Sequence, residues 1–390
     1  MTRHPSEADH ADARVSPAGW MAALAMCALG SAGYLFVNAS AGPVVGVTPE
    51  SVAAALPALL VYLALPRLVD RYAPEPAWVL LLCALMGAVG AAGLAVAVNA
   101  ATMAAMIEGG FSHAEAWSRV TQYVAPPVEE CAKALPLLWL LYFARHEFDG
   151  VADAVLAAIF VGLGFAFAEN LALSAWSGHL SGAEPSAART WLTPWAHPLF
   201  TAMTGVGLGL WRERLGRIRV LAPIVGLASA CAMHVVWNQL HTHFALSTWP
   251  SLALWAACVG GLASLSYALV RRKGRIVSAY LQDEVLYGSI TEEELLLVGA
   301  RFGRLVARIK FGAPGARFVD AAAKLALCKW HTTCARHARQ GTFSAHLIAP
   351  LRAELGVQRA AIGARLGREM PAPSRWVPTP KSMETPTRYN

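Results

Sequence analysis

The sequence predicts an all-α fold: a polytopic membrane helix bundle of about eight spans with a small helical cytoplasmic tail. Three observations predict it. Of the 390 residues, 56% are hydrophobic and only 15% are charged, against about 25% charged in an average soluble domain. Charge-free apolar runs recur at close to the ~20 residues that cross ~30 Å of hydrocarbon. From about Gly274 onward the composition turns polar and amphipathic. These features exclude an ordinary soluble enzyme. They also exclude disorder over most of the chain, which needs low hydrophobicity and high charge. The 32 Lys and Arg against 25 Asp and Glu give +7. In a membrane chain such an excess reads as basic cytoplasmic loops, and no nucleic acid is expected as a partner.

The spans follow in order. Val15 to Pro49 carries no charge, and its apolar heart is Trp20 to Val37. Ala39-Ser40-Ala41 resembles a signal cleavage site, but the apolar run is too long and acids precede it, so it reads as a span. Ser51 to Pro66 comes next, then Ala77 to Ile107. Tyr123 to Phe143 is apolar except for Glu129, Glu130 and Lys133. Ala154 to Trp176 is interrupted by Glu169, and Pro194 to Trp211 contains His197. Val220 to Arg271 is long enough for two spans, broken around His241 to Pro250. With the N-terminus inside, thirteen loop cations lie inside and two, Arg119 and Arg189, outside. That bias predicts a multi-pass protein of the plasma membrane with both termini cytoplasmic.

Four regions result: a cytoplasmic N-terminal segment (1–19), a transmembrane domain (20–271), a helical cytoplasmic tail (272–369) and a proline-rich, disordered C-terminus (370–390). Within the tail, Gln282 to Ala307, Arg317 to Arg339 and Ala345 to Arg365 read as helices, the last two set off by Gly312 to Gly315. Thr291 with Glu294 fits a capping box. The seven cysteines show neither a disulfide framework nor a CxxC site. Cys328, His331, Cys334 and His337 recur every third residue. On one helix that spacing drifts about 60° per step, so four tetrahedral ligands do not converge and no metal is expected there.

Ionisable groups inside spans cost about 2.5–3.5 kcal/mol each on insertion scales, which makes them functional candidates. This chain has Glu129, Glu130, Lys133, Glu169, His197 and His234, accompanied by Asn170 and Asn238. The predicted topology puts Glu129, Glu130, Glu169, His197 and His234 within roughly 5–11 Å of the outer edge of four different spans. Glu129 and Lys133, at i and i+4, are expected to pair. Glu130 lies about 100° around the helix and is expected to face elsewhere. His234 and Asn238 share a face. Two His and a Glu suit a catalytic zinc with water in the fourth position, a second carboxylate then serving as general base. A metal-free Glu–His pair activating water is a second chemistry for the same layer. Transport or conduction through this layer, or a catalytically inactive scaffold, are readings from other classes. Transport would want polar residues continuing inward, which the fifth to seventh spans lack.

These residues also stand in motifs. Glu129-Glu130-Cys131-Ala132-Lys133 matches EExxK, Phe165 to Asn170 ends in Glu-Asn, and His197 to Gly205 and His234 to Asn238 complete a set of four in order. Asp70 to Pro76 adds a further signature. Residues 20 to 270 thereby resemble the PrsW family of intramembrane proteases, distantly related to the CAAX prenyl protease-like membrane proteases. The resemblance implies a peptidase that cleaves membrane-anchored protein substrates, such as anti-sigma factors, near the extracytoplasmic side of the lipid bilayer. It implies that Glu129, Glu130, Glu169, His197 and His234 carry the chemistry. On this reading Glu169, His197 and His234 hold zinc, and Glu130, with Glu129, activates water. Lys133 and Asn238 orient the carboxylates or the oxyanion. Substrate identity, oligomeric state and the role of the tail are not legible in the sequence.

Overall fold

The computed structural model describes residues 15–41, 49–68, 70, 72, 74–144, 150–181, 195–213, 217–243, 248–300, 302–337 and 345–367. The expected disordered segment 370–390 and most of the N-terminal segment lie outside them. Among the described residues the regular structure is entirely helical, as the apolar runs require. The chain divides into a membrane unit (1–70 and 75–269) and a tail unit (71–74 and 270–390).

In the membrane unit α1 is Pro17–Ala41, α2 is Pro49–Ala64 and α3 is Ala77–Glu108, with a π-helical stretch at Met86–Ala91. α4, His113–Arg119, starts at a Ser112 capping box whose hydroxyl accepts from the Glu115 N–H. It runs through a π-helical turn, Val120–Val124, into α5, Ala125–Phe143. α6 is Val151–Ser181, α7 Ala196–Glu213, α8 Arg217–His243 and α9 Thr248–Leu286.

Five described stretches are long and apolar enough to cross a bilayer: Pro17–Ala39, Ala77–Glu108, Val151–Ala172, Arg219–Leu240 and Leu252–Leu286. The expected count of eight is therefore not reached by this standard. The other three runs do form helices, and each falls short for its own reason. α2 has 16 residues, about 24 Å at 1.5 Å per residue. α5 carries Glu129, Glu130 and Lys133, and α7 carries His197, Arg212 and Glu213. Of the four helices that bear the polar motifs, α5 and α7 fall outside this standard, while α6 and α8 meet it.

The membrane unit buries ionisable groups within its apolar core and leaves many large apolar side chains on the outside. Glu130, Lys133, Thr201 and His234 are buried, while Met21, Leu24, Leu35, Leu60, Val220, Ile224 and Val225 are exposed. That arrangement suits a lipid solvent, in which backbone packing rather than hydrophobic burial draws helices together. α7 shows how. A Cβ at Gly205 would sit 2.7 Å from the Ala154 carbonyl oxygen, and one at Gly209 2.4 Å from the Val151 Cα, both on α6. A Cβ at Gly207 would sit 2.4 Å from the Ala222 carbonyl oxygen on α8. Alternate glycines thus let one helix touch two neighbours backbone to backbone, which sets the spacing of the three helices that carry Glu169, His197 and His234.

In the tail unit the single helix expected over Gln282 to Ala307 is three pieces. α9 ends at Leu286, and Gly288, at φ 73°, turns the chain. α10, Glu292–Gly299, starts at the Thr291 capping box, and α11, Gly303–His337, follows. The capping box was legible in the sequence, and a helix start is incompatible with an uninterrupted helix through it. α11 is kinked at Gly312 (φ 71°, ψ −154°), close to the separator that the sequence marks. α12 is Ile348–Leu366. The core joins Val277, Leu281, Ile290, Phe318, Leu325 and Leu355 with Tyr72, whose hydroxyl donates to the Gly299 carbonyl at 3.1 Å. Fully buried Glu284 accepts from Arg352 (2.7 Å) and Lys329 (2.9 Å).

A branched side chain at Gly207 has no room against the α8 backbone. Gly207→Val is expected to cost on the order of 1–3 kcal/mol, read as a lower thermal midpoint of the detergent-purified protein. An unchanged midpoint would mean that α7 and α8 are not held by this contact.

Candidate active site

The site is assembled on α5, α6, α7 and α8. Lys133 is its centre. Its ammonium is fully buried and donates to Glu130 Oε1 at 2.8 Å and to His197 Nδ1 at 2.8 Å. It also lies 3.7 Å from Glu129 Oε2 and 3.9 Å from the centroid of the Phe165 ring. Relative to Glu129, Glu130 sits at about +100° around the helix and Lys133 at about +40°, between the two carboxylates. The expected Glu129–Lys133 pair is present, but Glu130 makes the shorter one. The expectation that Glu130 faces elsewhere is corrected by this arrangement: a lysine placed between the two directions draws both carboxylates to one point.

Glu130 is contacted mainly through Oε1. Besides Lys133, its Oε1 meets His234 Nδ1 at 3.0 Å, and its Oε2 accepts from the Thr201 hydroxyl at 3.4 Å. A carboxylate facing Nδ1 stabilises the tautomer with its proton there, which leaves the His234 Nε2 lone pair free. That Nε2 is 3.9 Å from Glu129 Oε2. His197 has the opposite arrangement. An ammonium can only donate, so His197 Nδ1 accepts from Lys133 and Nε2 carries the proton toward Glu169 Oε2, 2.6 Å away. The two imidazoles stand edge to face, 5.1 Å between centroids, and Phe200 stacks on His234 at 5.1 Å. Glu169 is the most open member, its side chain 34% exposed against 12% for Glu129 and none for Glu130.

Asn238 lies farther back. Its Nδ2 donates to the Thr121 carbonyl at 2.8 Å. That carbonyl is available for a definite reason. In the π-helical turn the Ala125 N–H bonds back to Val120. The next residue, Pro126, has no N–H, so neither neighbour serves Thr121. Asn238 therefore ties α8 to the turn that leads into the Glu129–Glu130 helix. Asn170, on α6 beside Glu169, lines a small crevice with Ala55, Ala58, Leu59 and Tyr62 of α2. Thr201 and Phe165 belong to the site although sequence reasoning gave them no role. Thr201 stands at i+4 from His197, a spacing that would have found it; Phe165 carries no sequence signal of its own.

Among the described residues one group can offer a metal three ligand atoms at once: Glu129, His197 and His234, whose atoms lie within 4.8 Å of one another. Glu129 Oε2 is buried without a hydrogen-bond partner, as a carboxylate oxygen awaiting a ligand would be. Two imidazoles and a carboxylate suit a catalytic site with one open position.

A cluster of buried carboxylates and imidazoles thus lies inside an apolar helix bundle. The family model of the PrsW family intramembrane metalloproteases matches residues 75–265, and this segment of the chain is similar to that family. The chain is thus a peptidase by class, built on a multi-pass helical membrane domain, and the family implies a metal, which the donor set just described fits. No curated protein and no solved structure matches the chain.

Lys133→Met would leave two buried carboxylates facing each other with no cation, at a cost of about 3–5 kcal/mol. Thr201→Ala removes a hydroxyl that donates to the His197 carbonyl at 2.9 Å and reaches Glu130 at 3.4 Å, worth about 1 kcal/mol. Thermal midpoints in detergent should fall in that order, and equal midpoints would show that Lys133 does not hold the site together.

Proposed function

We propose that the protein hydrolyses peptide bonds of membrane-anchored, anti-sigma-factor-like substrates near the extracytoplasmic side of the plasma membrane, with zinc at the centre. The buried oxygen of Glu129, without a hydrogen-bond partner and grouped with ligand atoms of both imidazoles within 4.8 Å, carries this reading. Glu129, His197 and His234 hold the metal; His197 ligates through Nε2, which first releases its proton, Nδ1 then taking one from Lys133. When bound, zinc acidifies water toward a pKa of ~7 and polarises the scissile carbonyl. Glu169 Oε2, the most solvent-accessible carboxylate, takes the proton of the attacking water and returns it to the leaving amine. Glu130 holds His234 through Nδ1, and Lys133 holds Glu130 and His197 in turn, so both imidazoles are oriented before substrate arrives. Asn238 fixes the approach to α5. The sequence reading had Glu169 as ligand and Glu130, with Glu129, as base; here Glu129 becomes the ligand, Glu169 the base and Glu130 the group that orients His234, on the strength of their burial and contacts. The extracytoplasmic placement is supported by the thirteen-to-two distribution of loop cations.

Metal analysis separates the two ligand sets. About one zinc per chain is expected in the wild type and in Glu169→Gln, and none in Glu129→Gln or in the His197→Ala, His234→Ala double variant. Zinc lost from Glu169→Gln but kept in Glu129→Gln would restore the original assignment. Cleavage of a membrane-anchored reporter should be abolished in Glu169→Gln. In Glu130→Gln zinc affinity should fall roughly 10–100-fold, as for other groups that orient a ligand. Full cleavage by Glu169→Gln would overturn the base.

A further inference from the structure

The charge of the chain is divided unevenly. Residues 270–390 hold 20 Lys and Arg against 9 Asp and Glu, a net +11, whereas residues 1–269 hold 12 against 16, a net −4. Within the basic unit the first part of α11, up to the Gly312 kink, shows an apolar stripe turned to the outside: Phe302 is 57% exposed, Leu305 55% and Ile309 75%. At 100° per residue these three fall within an arc of about 60°. Arg304 and Arg308 follow on one flank, and Lys310 stands on the other. All three are exposed. Arg304 also pairs with Asp320 at 2.7 Å; Arg308 and Lys310 are therefore the leading candidates for outside contacts.

We propose that this segment, residues 302–310, is an interfacial helix that lies on an anionic lipid surface, with Phe302, Leu305 and Ile309 entering the headgroup boundary and Arg308 and Lys310 meeting lipid phosphates. A short helix with an apolar stripe bordered by Arg and Lys has the chemistry of an interfacial binder. Charge complementarity selects the occupant. A second copy of this chain would bring the same cations against themselves. Its contact area would also be too small, since even a Phe buries at most ~250 Å² and a stable interface takes ~800 Å² per partner. A nucleic acid would satisfy the cations and leave the apolar stripe in water. An anionic leaflet satisfies both, and juxtamembrane basic segments are drawn to it within a Debye length. This inference is independent of the proposed catalytic roles.

The test uses the full chain in nanodiscs, one copy per disc, with benzoylphenylalanine at position 309 in place of Ile309. Discs of phosphatidylcholine alone are compared with discs containing about one third phosphatidylglycerol. After irradiation, mass spectrometry of the peptide that contains position 309 is expected to show a lipid adduct. Its yield should be at least tenfold higher in the anionic discs, and it should be lost when Arg308→Glu and Lys310→Glu are added. The same photoprobe at Val357, an exposed position on α12, should give no adduct. No lipid adduct at 309, equal yields in the two lipids, or equal labelling at 309 and 357 would each overturn the proposal. A protein–protein adduct in place of the lipid one would likewise overturn it.

Discussion

The membrane unit depends on one buried cation. Lys133 has no water to solvate it and takes its whole coordination from the chain: two carboxylates, one imidazole nitrogen and one aromatic face. Alone, any of these groups would be costly at this depth. Together they cancel, and the cancellation draws two helices to one point, since Glu129, Glu130 and Lys133 sit on α5 and His197 on α7. The same contacts also select the proton positions. Lys133 makes His197 Nδ1 an acceptor, and through Glu130 it favours the Nδ1–H tautomer of His234. An interaction needed to bury a charge therefore also prepares the two imidazoles differently.

The second constraint is distance between backbones. Groups on separate helices meet only if the helices approach closely, and Gly205, Gly207 and Gly209 allow this on two sides of α7. Hydrophobic burial contributes little to such approach in lipid, so it rests on small residues and on polar contacts that have no alternative partner.

Much of this was legible in the sequence. Composition announced a helical membrane chain, and the ionisable residues inside apolar runs named the site before any coordinates. Glu129, Glu130, Lys133, Glu169, His197 and His234 do converge. Two kinds of information were missing. The direction of Glu130 was misread because helical angles were assigned one residue at a time, without asking what a lysine between two carboxylates does to both. The span count is not confirmed by length and composition, because α2 is short, α5 carries three charged residues and α7 has polar ends. In the tail, the capping box at Thr291 was recognised but its consequence, a break before it, was not carried into the helix boundaries.

The contact between Asn238 and Thr121 has a consequence for which substitutions the protein can accept. The group recognised on the π-helical turn is a main-chain oxygen, and it is available because Pro126 supplies no competing N–H. Position 121 is accordingly free to vary without touching the contact, while 126 and 238 are tied to each other. Any residue other than proline at 126 would bring an N–H that competes with Asn238 for the same carbonyl. A survey that replaced side chains one by one along the turn would find Thr121 dispensable and miss that its carbonyl joins two helices of the site.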